Sequence, residues 1–346
     1  MKRGTSGLSF IVGVDKPVGM SSHDVVNRCR KIFGEKRVGH TGTLDPAASG
    51  VLTVCVGPAT RLDAYLESDT KSYEARIVFG AATDTDDAQG TVVRTAQVPD
   101  ALGTRAEAGR VLAGIVGVQA QMPPAYSAIK VGGVKGYEAA RRGAAIELKP
   151  RQIEVLAAAL QEVGRTDQGC LYWDVRLTVS KGTYIRSIAR DIGARQGTAA
   201  HLGALRRTRS GRVDLDACVT LEQLEADPGL GRLDPVRLLG YRVLFAGPAL
   251  EKALANGGPL PVPSEGDSAV GGVTLFRAEG ASGAQRGAGC PCVAQVVPDA
   301  RPPAPGEVIS VVSDNKLVAL YSFDERRGQL RARCVFAQGV SRGSDI

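Results

Sequence analysis

The chain has 346 residues, of which 43% are hydrophobic and 23% charged, enough to bury a sizeable core and to form two domains. Its net charge of +7 and three basic clusters in the first two-thirds favour a nucleic-acid partner. The seven cysteines and three histidines show no metal-ligand spacing, which argues against a metal-dependent hydrolase. With neither a signal-peptide pattern nor a bilayer-length apolar run, we expect a cytoplasmic protein with no membrane partner.

The first predicted elements are a buried strand over residues 10–15 and a helix over residues 22–33. Ser22 is expected to cap this helix, and Gly34 is expected to end it. Apolar side chains recur on one face of the helix, and several basic residues lie off that face. The apolar face of the helix is therefore predicted to pack against the core, and its basic residues are predicted to face solvent.

Three further segments have strand patterns. Residues 51–56 form a continuous apolar run, whereas residues 73–79 and 171–179 alternate apolar and polar side chains. A helix with an apolar stripe is predicted from residue 185. Because strands and helices are interleaved without a strict βαβ repeat, we predict an α+β domain with one large mixed or antiparallel sheet flanked by helices.

Two segments differ from the rest in composition. Residues 121–151 combine glycines and prolines with basic residues, including Lys130, and are predicted to form a mobile flap. Residues 257–305 are rich in Gly, Ala and Pro, and part of this stretch is expected to be disordered. Three strand patterns follow it. We therefore predict a main domain over residues 1–243 and a small all-β module over residues 244–346.

The most informative segment is GHTGTLDPAASG at residues 39–50, between the basic helix and a buried strand. For Asp45 followed by Pro46 in isolation, helix capping is the favoured interpretation, since Asp caps helices and Pro suits a first turn. The three glycines of this segment allow the backbone to approach a ligand closely. A loop here would also hold the Asp45 carboxylate and the His40 imidazole near each other, which favours a catalytic role.

Four motifs occur in order along the chain: DKPVGMSS from residue 15, GHTGTLDP from residue 39, TDTDD from residue 83 and KGTYIR from residue 181. With these motifs, and with MPPAYSAIK from residue 122, the chain resembles the pseudouridine synthases of the tRNA T-loop (the tRNA pseudouridine synthase B family). The resemblance extends over about residues 8–222. It implies a pseudouridine synthase fold, with a PUA-like RNA-binding module at the C-terminus.

The resemblance also implies the reaction and its residues. Asp45 is the nucleophile, Arg186 favours its ionised form, and Asp87 completes an arginine–aspartate network. Tyr73 is expected to stack on the uracil. The positions expected to contact the substrate or to brace the loop are His40, Tyr184, Leu205, Lys16, Pro17 and Lys130. From their patterns alone, Tyr73 is better explained as a core residue and Arg186 as an exposed charge on an amphipathic helix.

The implied reaction converts one uridine of the tRNA T-loop (position 55) into pseudouridine. The bond from ribose C1′ to uracil N1 breaks, the base turns, and C1′ joins C5. The carboxylate can attack the sugar or the base, and both routes remain open at this point. The uridine must be flipped out of its stack. No cofactor and no metal are implied, and we predict a monomer that binds the T-arm stem-loop without an obligatory protein partner.

Two rival functions belong to other classes. One is a non-catalytic protein that binds and remodels tRNA, which could dispense with Asp45, Tyr73 and Arg186; all three are present. The other is a related synthase that modifies ribosomal RNA through a guide-RNA complex. Members of that group usually carry extra basic tails, which this sequence lacks.

Overall fold

The computed structural model describes residues 6–67, 70–126, 130–131, 134–135, 148–262, 275–278, 296–299 and 301–343. Most of the predicted flap and much of the Gly/Ala/Pro-rich stretch lie outside the described residues. For Lys130 only the backbone is described, and it pairs with Lys135 in a short antiparallel ladder.

The described helices and strands follow in chain order. The α-helices are α1 (Ser22–Phe33), α2 (Asp63–Leu66), α3 (Arg105–Ala113), α4 (Ile185–Arg195), α5 (Leu221–Ala226), α6 (Pro235–Leu239) and α7 (Glu251–Ala255). The first strands are β1 (Phe10–Lys16), β2 (Val38–Thr41), β3 (Ala48–Val56), β4 (Thr70–Phe79), β5 (Ala81–Thr83), β6 (Val92–Thr95), β7 (Gly117–Gln121), β8 (Lys130–Val131), β9 (Val134–Lys135), β10 (Arg151–Arg165) and β11 (Leu171–Ser180). The remaining strands are β12 (Ala200–Ser210), β13 (Val213–Asp214), β14 (Arg232–Leu233), β15 (Arg242–Phe245), β16 (Leu260–Pro261), β17 (Leu275–Ala278), β18 (Val296–Pro298), β19 (Val308–Ser313), β20 (Lys316–Asp324) and β21 (Gln329–Ser341).

Ten of the described strands form the main sheet. Its order is β14-β1-β3-β12-β4-β11-β10-β7, with β2 beside β3 and β13 beside β12. The β3–β12 pair is parallel and places Leu205 beside Ala48, whereas the other pairs are antiparallel. The predicted α+β domain with a large mixed sheet is therefore confirmed. The parallel pair brings the C-terminal end of the Asp45 loop next to β12.

Helices cover the main sheet and supply much of its core. Apolar residues of α3 and α4 share one hydrophobic cluster with β4, β10 and β11. Residues of α1 and α5 share another with β1 and β3. Trp173, the single tryptophan, is fully buried in the first cluster, where it packs edge-on against Phe79 with ring centroids 4.6 Å apart. Its indole N–H donates to the Leu102 carbonyl at 2.9 Å, so the polar atom is satisfied.

The N-cap of helix α1 lies one residue earlier than the sequence suggested. Ser21, not Ser22, is the N-cap: its side chain accepts from the Asp24 amide, and the Asp24 side chain accepts from the Ser21 amide. Gly34 ends the helix in the left-handed region, at φ 60°. The Ser22 hydroxyl is therefore available for contacts outside the helix.

Seven strands form a second sheet in the C-terminal part, in the order β16-β21-β20-β19-β15-β17-β18. Its first strand begins at Arg242. The turn between β19 and β20 consists of Asp314 and Asn315, both at positive φ, which suits a two-residue hairpin. None of the helices in the described part of the chain combines the length and apolarity that a membrane crossing needs.

The two sheets share a hydrophobic core. Ile11, Cys55 and Leu62 from the main domain belong to the same buried cluster as Leu317 and Phe336 from the second sheet. The Ser341 amide also donates to the Ser9 carbonyl at 2.8 Å, which joins β21 to the residue before β1. The C-terminal sheet therefore stabilises the main domain as well as itself.

We expect Phe336→Ala to lower the unfolding midpoint of the main sheet, although Phe336 lies in the second sheet. Its ring is 3% exposed, and truncating a buried Phe typically costs about 3–5 kcal/mol. Trp173 fluorescence during urea unfolding reports the main sheet. Val92→Ala, at an exposed position, is the control and should leave the transition in place. A Trp173 transition that does not move in Phe336→Ala would show that the two sheets unfold independently.

Candidate active site

Asp45 lies in the loop between β2 and β3. Residues 46 and 47 form a turn, and the strand β3 begins directly at Ala48, whose amide donates to the Asp45 carbonyl at 3.0 Å. The chain thus enters a strand rather than a helix, which excludes capping as the role of Asp45. The Asp45 side chain is 44% exposed, and its Oδ2 lies 3.0 Å from Nε of Arg186.

Arg186, on the first turn of α4, joins three segments at this site. Its Nε faces Asp45, while Nη1 donates to the Thr85 carbonyl at 3.0 Å and Nη2 donates to the Tyr126 carbonyl at 2.9 Å. The Arg186 side chain is only 8% exposed, so it is not the solvated helix charge that periodicity alone suggested. The planar guanidinium satisfies three acceptors in different directions at once.

Asp87 lies on the far side of the same guanidinium. Its Oδ2 is 3.7 Å from Nη1 of Arg186, and its Oδ1 accepts from the Thr85 hydroxyl at 2.7 Å and from the Gln89 amide at 3.0 Å. These contacts fix the Asp87 carboxylate, which in turn restrains Arg186. The structure therefore brings Asp45, Arg186 and Asp87 together in one chain of charges.

Short hydrogen bonds hold the Asp45 loop in place from the α1 side. The Ser22 hydroxyl donates to the Leu44 carbonyl at 3.0 Å and accepts from the Leu44 amide at 2.9 Å. The Gly19 amide donates to the Pro46 carbonyl at 2.8 Å. Both neighbours of Asp45 are thus fixed. Ser22 was not predicted as a site residue, because its position suggested a helix cap.

Lys16 and Pro17, which were expected to brace this loop, lie in the segment that contacts Pro46. The Lys16 side chain is fully buried, and its Nζ donates to the carbonyls of Pro17 and Met20 at 2.8 and 2.6 Å. Burial lowers the pKa of this amine from 10.5 to about 8, while the negative charge of Asp45 acts in the opposite direction. Lys16 therefore places a positive charge near Asp45 and fixes the turn that contacts Pro46.

Arg207 is a second buried cation behind the loop, and the sequence analysis did not single it out. Its side chain is 1% exposed and donates to three carbonyls: Nε to Val51 at 2.8 Å, Nη2 to Gly42 at 2.9 Å and Nη1 to Thr43 at 3.4 Å. Burial lowers the pKa of the guanidinium. The only sequence signal was its place in a basic cluster, which suggested an exposed charge.

Tyr73 lies opposite Arg207 on the neighbouring strand β4, and the phenol interacts with the Arg207 guanidinium. The ring is 7% exposed and belongs to the same core cluster as Leu44 and Ala48. Burial raises the pKa of the phenol, so it remains protonated at neutral pH. Tyr73 is thus a core residue, as periodicity favoured, and it also lies directly behind the Asp45 loop.

Leu205 joins Asp45, Asp87 and Arg186 around one small cavity of about 20 Å³. A cavity of this size holds about one water molecule, so a uracil ring requires the site to widen. Tyr184 lies at the N-terminus of α4, where Gln121 contacts both its amide, at 2.9 Å, and its carbonyl, at 3.1 Å.

His40 lies outside this cavity. It lines an adjacent one of about 220 Å³ with His23, Arg30, Thr60 and Asp63. Its Nδ1 is buried without a hydrogen-bond partner among the described residues, and burial lowers the pKa of the imidazole, which favours the neutral ring. His40 and Asp45 therefore line different cavities, so His40 is not placed to exchange a proton with Asp45.

Within the described ranges, no group of three or more His, Cys, Asp or Glu side chains is placed to hold a metal ion. The carboxylates of Asp45 and Asp87 face Arg186 instead.

Comparison with known protein families gives two matches along the chain. The N-terminal domain of the TruB family of pseudouridylate synthases matches residues 30–185, and the C-terminal domain of tRNA pseudouridylate synthase B matches residues 186–230. The chain belongs to the TruB family of pseudouridylate synthases. The predicted enzyme class, an isomerase acting as a tRNA pseudouridine synthase, is thereby confirmed.

Two curated relatives illustrate how far the likeness extends. The tRNA pseudouridine synthase B of Mycobacterium sp. (strain KMS) is 47% identical over 232 residues, which are 67% of this chain and 77% of that protein. The enzyme of the same name from Geobacillus kaustophilus (strain HTA426) is 40% identical over 278 residues, covering 77% of this chain and 96% of that protein.

Solved structures show the same fold at lower identity. An H/ACA RNP bound to a substrate RNA containing 2′-deoxyuridine matches with a TM-score of 0.61 at 21% identity, covering 95% of this chain and 85% of that chain. The archaeal box H/ACA sRNP Nop10–Cbf5 complex matches with a TM-score of 0.60 at 22% identity, covering 96% of this chain and 86% of that chain. The predicted pseudouridine synthase fold is therefore confirmed.

Activity of this TruB-family enzyme is expected to fall as the pH rises through about 8, where Lys16 loses its proton. Deprotonation removes a positive charge near Asp45 and weakens the charge-assisted hydrogen bonds to the loop. Stability should respond in the opposite sense. Between about pH 8 and 10.5 the unfolded chain binds the Lys16 proton more tightly, so this group favours the folded state increasingly as pH rises.

The measurement is a single-turnover rate profile from pH 6.5 to 9.5, with Trp173 fluorescence as the check on folding. Lys16→Met should be slower than the unsubstituted enzyme and should lack the alkaline decline. An alkaline decline that is identical in Lys16→Met would assign it to another group.

Proposed function

We propose that this enzyme isomerises the T-loop uridine of tRNA, position 55, to pseudouridine. The observation that supports this proposal most directly is the contact between a half-exposed carboxylate, Asp45, and a buried guanidinium, Arg186. The loop that holds Asp45 is fixed on both sides. The curated relatives that cover most of this chain are named tRNA pseudouridine synthase B, which supports tRNA as the substrate. A remodelling protein without catalysis would not need this pairing.

In the proposed mechanism Asp45 is the nucleophile. Oδ2 faces Arg186, and the side chain remains accessible, so the carboxylate can reach a substrate while a positive charge lies beside it. Asp45 forms a covalent bond to the ribose or to the base, and the C1′–N1 bond breaks. After the base turns, C1′ joins C5, the bond to Asp45 breaks, C5 loses its proton to solvent, and N1 takes up a proton. Arg186 keeps a positive charge beside the carboxylate as it attacks and as it leaves.

The uridine is proposed to enter as a flipped nucleotide, because a stacked base cannot reach Asp45. Leu205 and Tyr184 are proposed to line the widened site, with Tyr73 behind it as the surface on which the uracil stacks. Nδ1 of His40, which has no hydrogen-bond partner among the described residues, suits a contact to a nucleotide next to the target. Lys130, in the flap, is proposed to close over the bound RNA.

The C-terminal module is proposed to be a PUA-like RNA-binding unit that adds contacts to full-length tRNA. Residues 1–243 are the proposed catalytic domain. We propose that the enzyme acts in the cytoplasm as a monomer, without a cofactor and without an obligatory protein partner. Recognition of the T-arm then depends on loop shape and on phosphate contacts from basic residues.

Asp45→Asn should abolish turnover and leave RNA affinity nearly unchanged, since the substitution removes the charge and the nucleophile at almost constant size. We expect a loss of at least about 1,000-fold, as for other removed nucleophiles. The assay counts tritium released from C5-labelled uridine in an unmodified tRNA transcript, without added metal. Asp167→Asn, in an exposed hairpin turn, is the control. Tritium release by Asp45→Asn at a rate comparable to that of Asp167→Asn would exclude Asp45 as the nucleophile.

Arg186→Lys should lower the single-turnover rate by about 10- to 100-fold. A lysine keeps the charge but cannot contact Asp45, Thr85 and Tyr126 together, and each charge-assisted hydrogen bond contributes about 1.5–3 kcal/mol. Arg190→Lys is the matched control, one helical turn away. Arg190 pairs with Asp86 at 2.8 Å. Its replacement should lower the single-turnover rate by less than about tenfold. Equal losses in the two variants would argue against a specific role for Arg186.

A further inference from the structure

A cleft of about 570 Å³ lies beside the catalytic loop. Thr41, four residues before Asp45, and Lys181, five residues before Arg186, both line it. Tyr241, directly before the first strand of the second sheet, also lines it. A polymer bound at Asp45 can therefore extend into this cleft.

Positive charge predominates around the cleft. Lys181, Arg209 and Arg212 line it, against one lining carboxylate, Glu67. Arg209 also pairs with Asp214 at 3.4 Å, but both side chains are more than half exposed, so solvent screens this contact strongly. The cleft thus favours an anionic ligand.

The two arginines are held by backbone groups. Nε of Arg209 donates to the Gly211 carbonyl at 2.8 Å, and Nη1 of Arg212 donates to the Arg237 carbonyl at 3.4 Å. The Arg212 guanidinium also lies against Gly240, where a Cβ atom would overlap it. Each guanidinium is oriented by one N–H and retains further N–H groups for a phosphate.

Aromatic and hydroxyl groups complete the lining. Tyr65 and Tyr241 are both half-buried in the cleft, and Thr41, Thr53 and Ser210 contribute hydroxyl groups. Two phenol rings beside two guanidinium groups provide stacking surfaces for a base next to donors for its phosphate. Nucleic acid suits this combination better than an acidic peptide, which would not use the ring faces.

We propose that this cleft is a second RNA subsite, which binds one phosphodiester and one unstacked base of the substrate RNA outside the target uridine. Arg209 and Arg212 contact the phosphate, and Tyr65 and Tyr241 contact the base. The subsite rests on the proposed function, since it presupposes that RNA occupies the site at Asp45. It contributes to affinity and register and takes no part in the chemical step.

The test compares Arg209→Gln/Arg212→Gln and Tyr241→Leu with the unsubstituted enzyme on a T-arm hairpin. Binding is measured by fluorescence anisotropy over a range of salt concentrations, and turnover by tritium release at saturating RNA. Arg165→Gln is the matched control, because Arg165 is also an exposed hairpin arginine that donates to a backbone carbonyl, that of Gly169 at 2.9 Å. Photocrosslinking of a hairpin that carries 4-thiouridine outside the target position maps the base contact.

We expect the double variant to bind about tenfold or more weakly, with a salt dependence reduced by one to two released counterions and an unchanged saturating rate. Tyr241→Leu should weaken binding about tenfold, and crosslinks should map to the peptides of Tyr65 or Tyr241. Binding of the double variant equal to that of Arg165→Gln, or an unchanged salt dependence, would overturn the subsite. These outcomes are distinct from failure of the proposed function, in which the unsubstituted enzyme would release no tritium.

Discussion

The buried guanidinium of Arg207 is the constraint on which the catalytic loop depends. It lies at the parallel contact between β3 and β12, where Gly50, at φ 105°, passes so close to the Arg207 backbone that a Cβ atom would clash. Desolvation of this charge costs several kcal/mol, and no carboxylate in the described part of the chain pairs with it. Hydrogen bonds to three carbonyls offset it instead, at about 1.5–3 kcal/mol each. Because two of these carbonyls belong to residues 42 and 43, the same contacts that stabilise Arg207 also fix the chain leading to Asp45.

The charges around Asp45 have separate roles. Arg186 contacts the carboxylate directly, whereas Lys16 and Arg207 lie behind the loop and donate to backbone carbonyls near it. A loop that carries the proposed nucleophile must not move when the substrate widens a cavity of about 20 Å³. Fixing the backbone with buried cations leaves the Asp45 side chain exposed, and it places positive charge behind the carboxylate. Rigidity and electrostatic support thus have the same physical source.

The sequence predicted much of this arrangement, for reasons that differ between residues. The strand patterns around Tyr73 and Trp173 predicted the central strands, because alternation reports burial directly. Asp45, Arg186 and Asp87 were predicted together from the motifs that carry the family resemblance, whereas local patterns alone favoured a helix cap for Asp45 and a solvated charge for Arg186. Arg207 and Ser22 were missed. Each acts through backbone carbonyls or amides distant in sequence, and neither periodicity nor charge pattern encodes such a partner. The core shared by the two sheets could not be predicted either, since it depends on how Phe336 and Ile11 pack in three dimensions.

Arg186 also links Asp45 to residues 121–126, where the predicted flap begins. Its Nη2 donates to the Tyr126 carbonyl, and Arg190, one turn later, donates to the Met122 carbonyl at 2.8 Å. Gln121 contacts the backbone of Tyr184 at the start of the same helix. The helix α4 therefore holds the beginning of this segment at three points, one of which is the guanidinium that faces Asp45. A substrate that shifts Arg186 alters the anchor at Tyr126, and a displacement of Tyr126 alters the fork that faces the carboxylate. In this way the position of this segment and the electrostatic environment of Asp45 depend on each other.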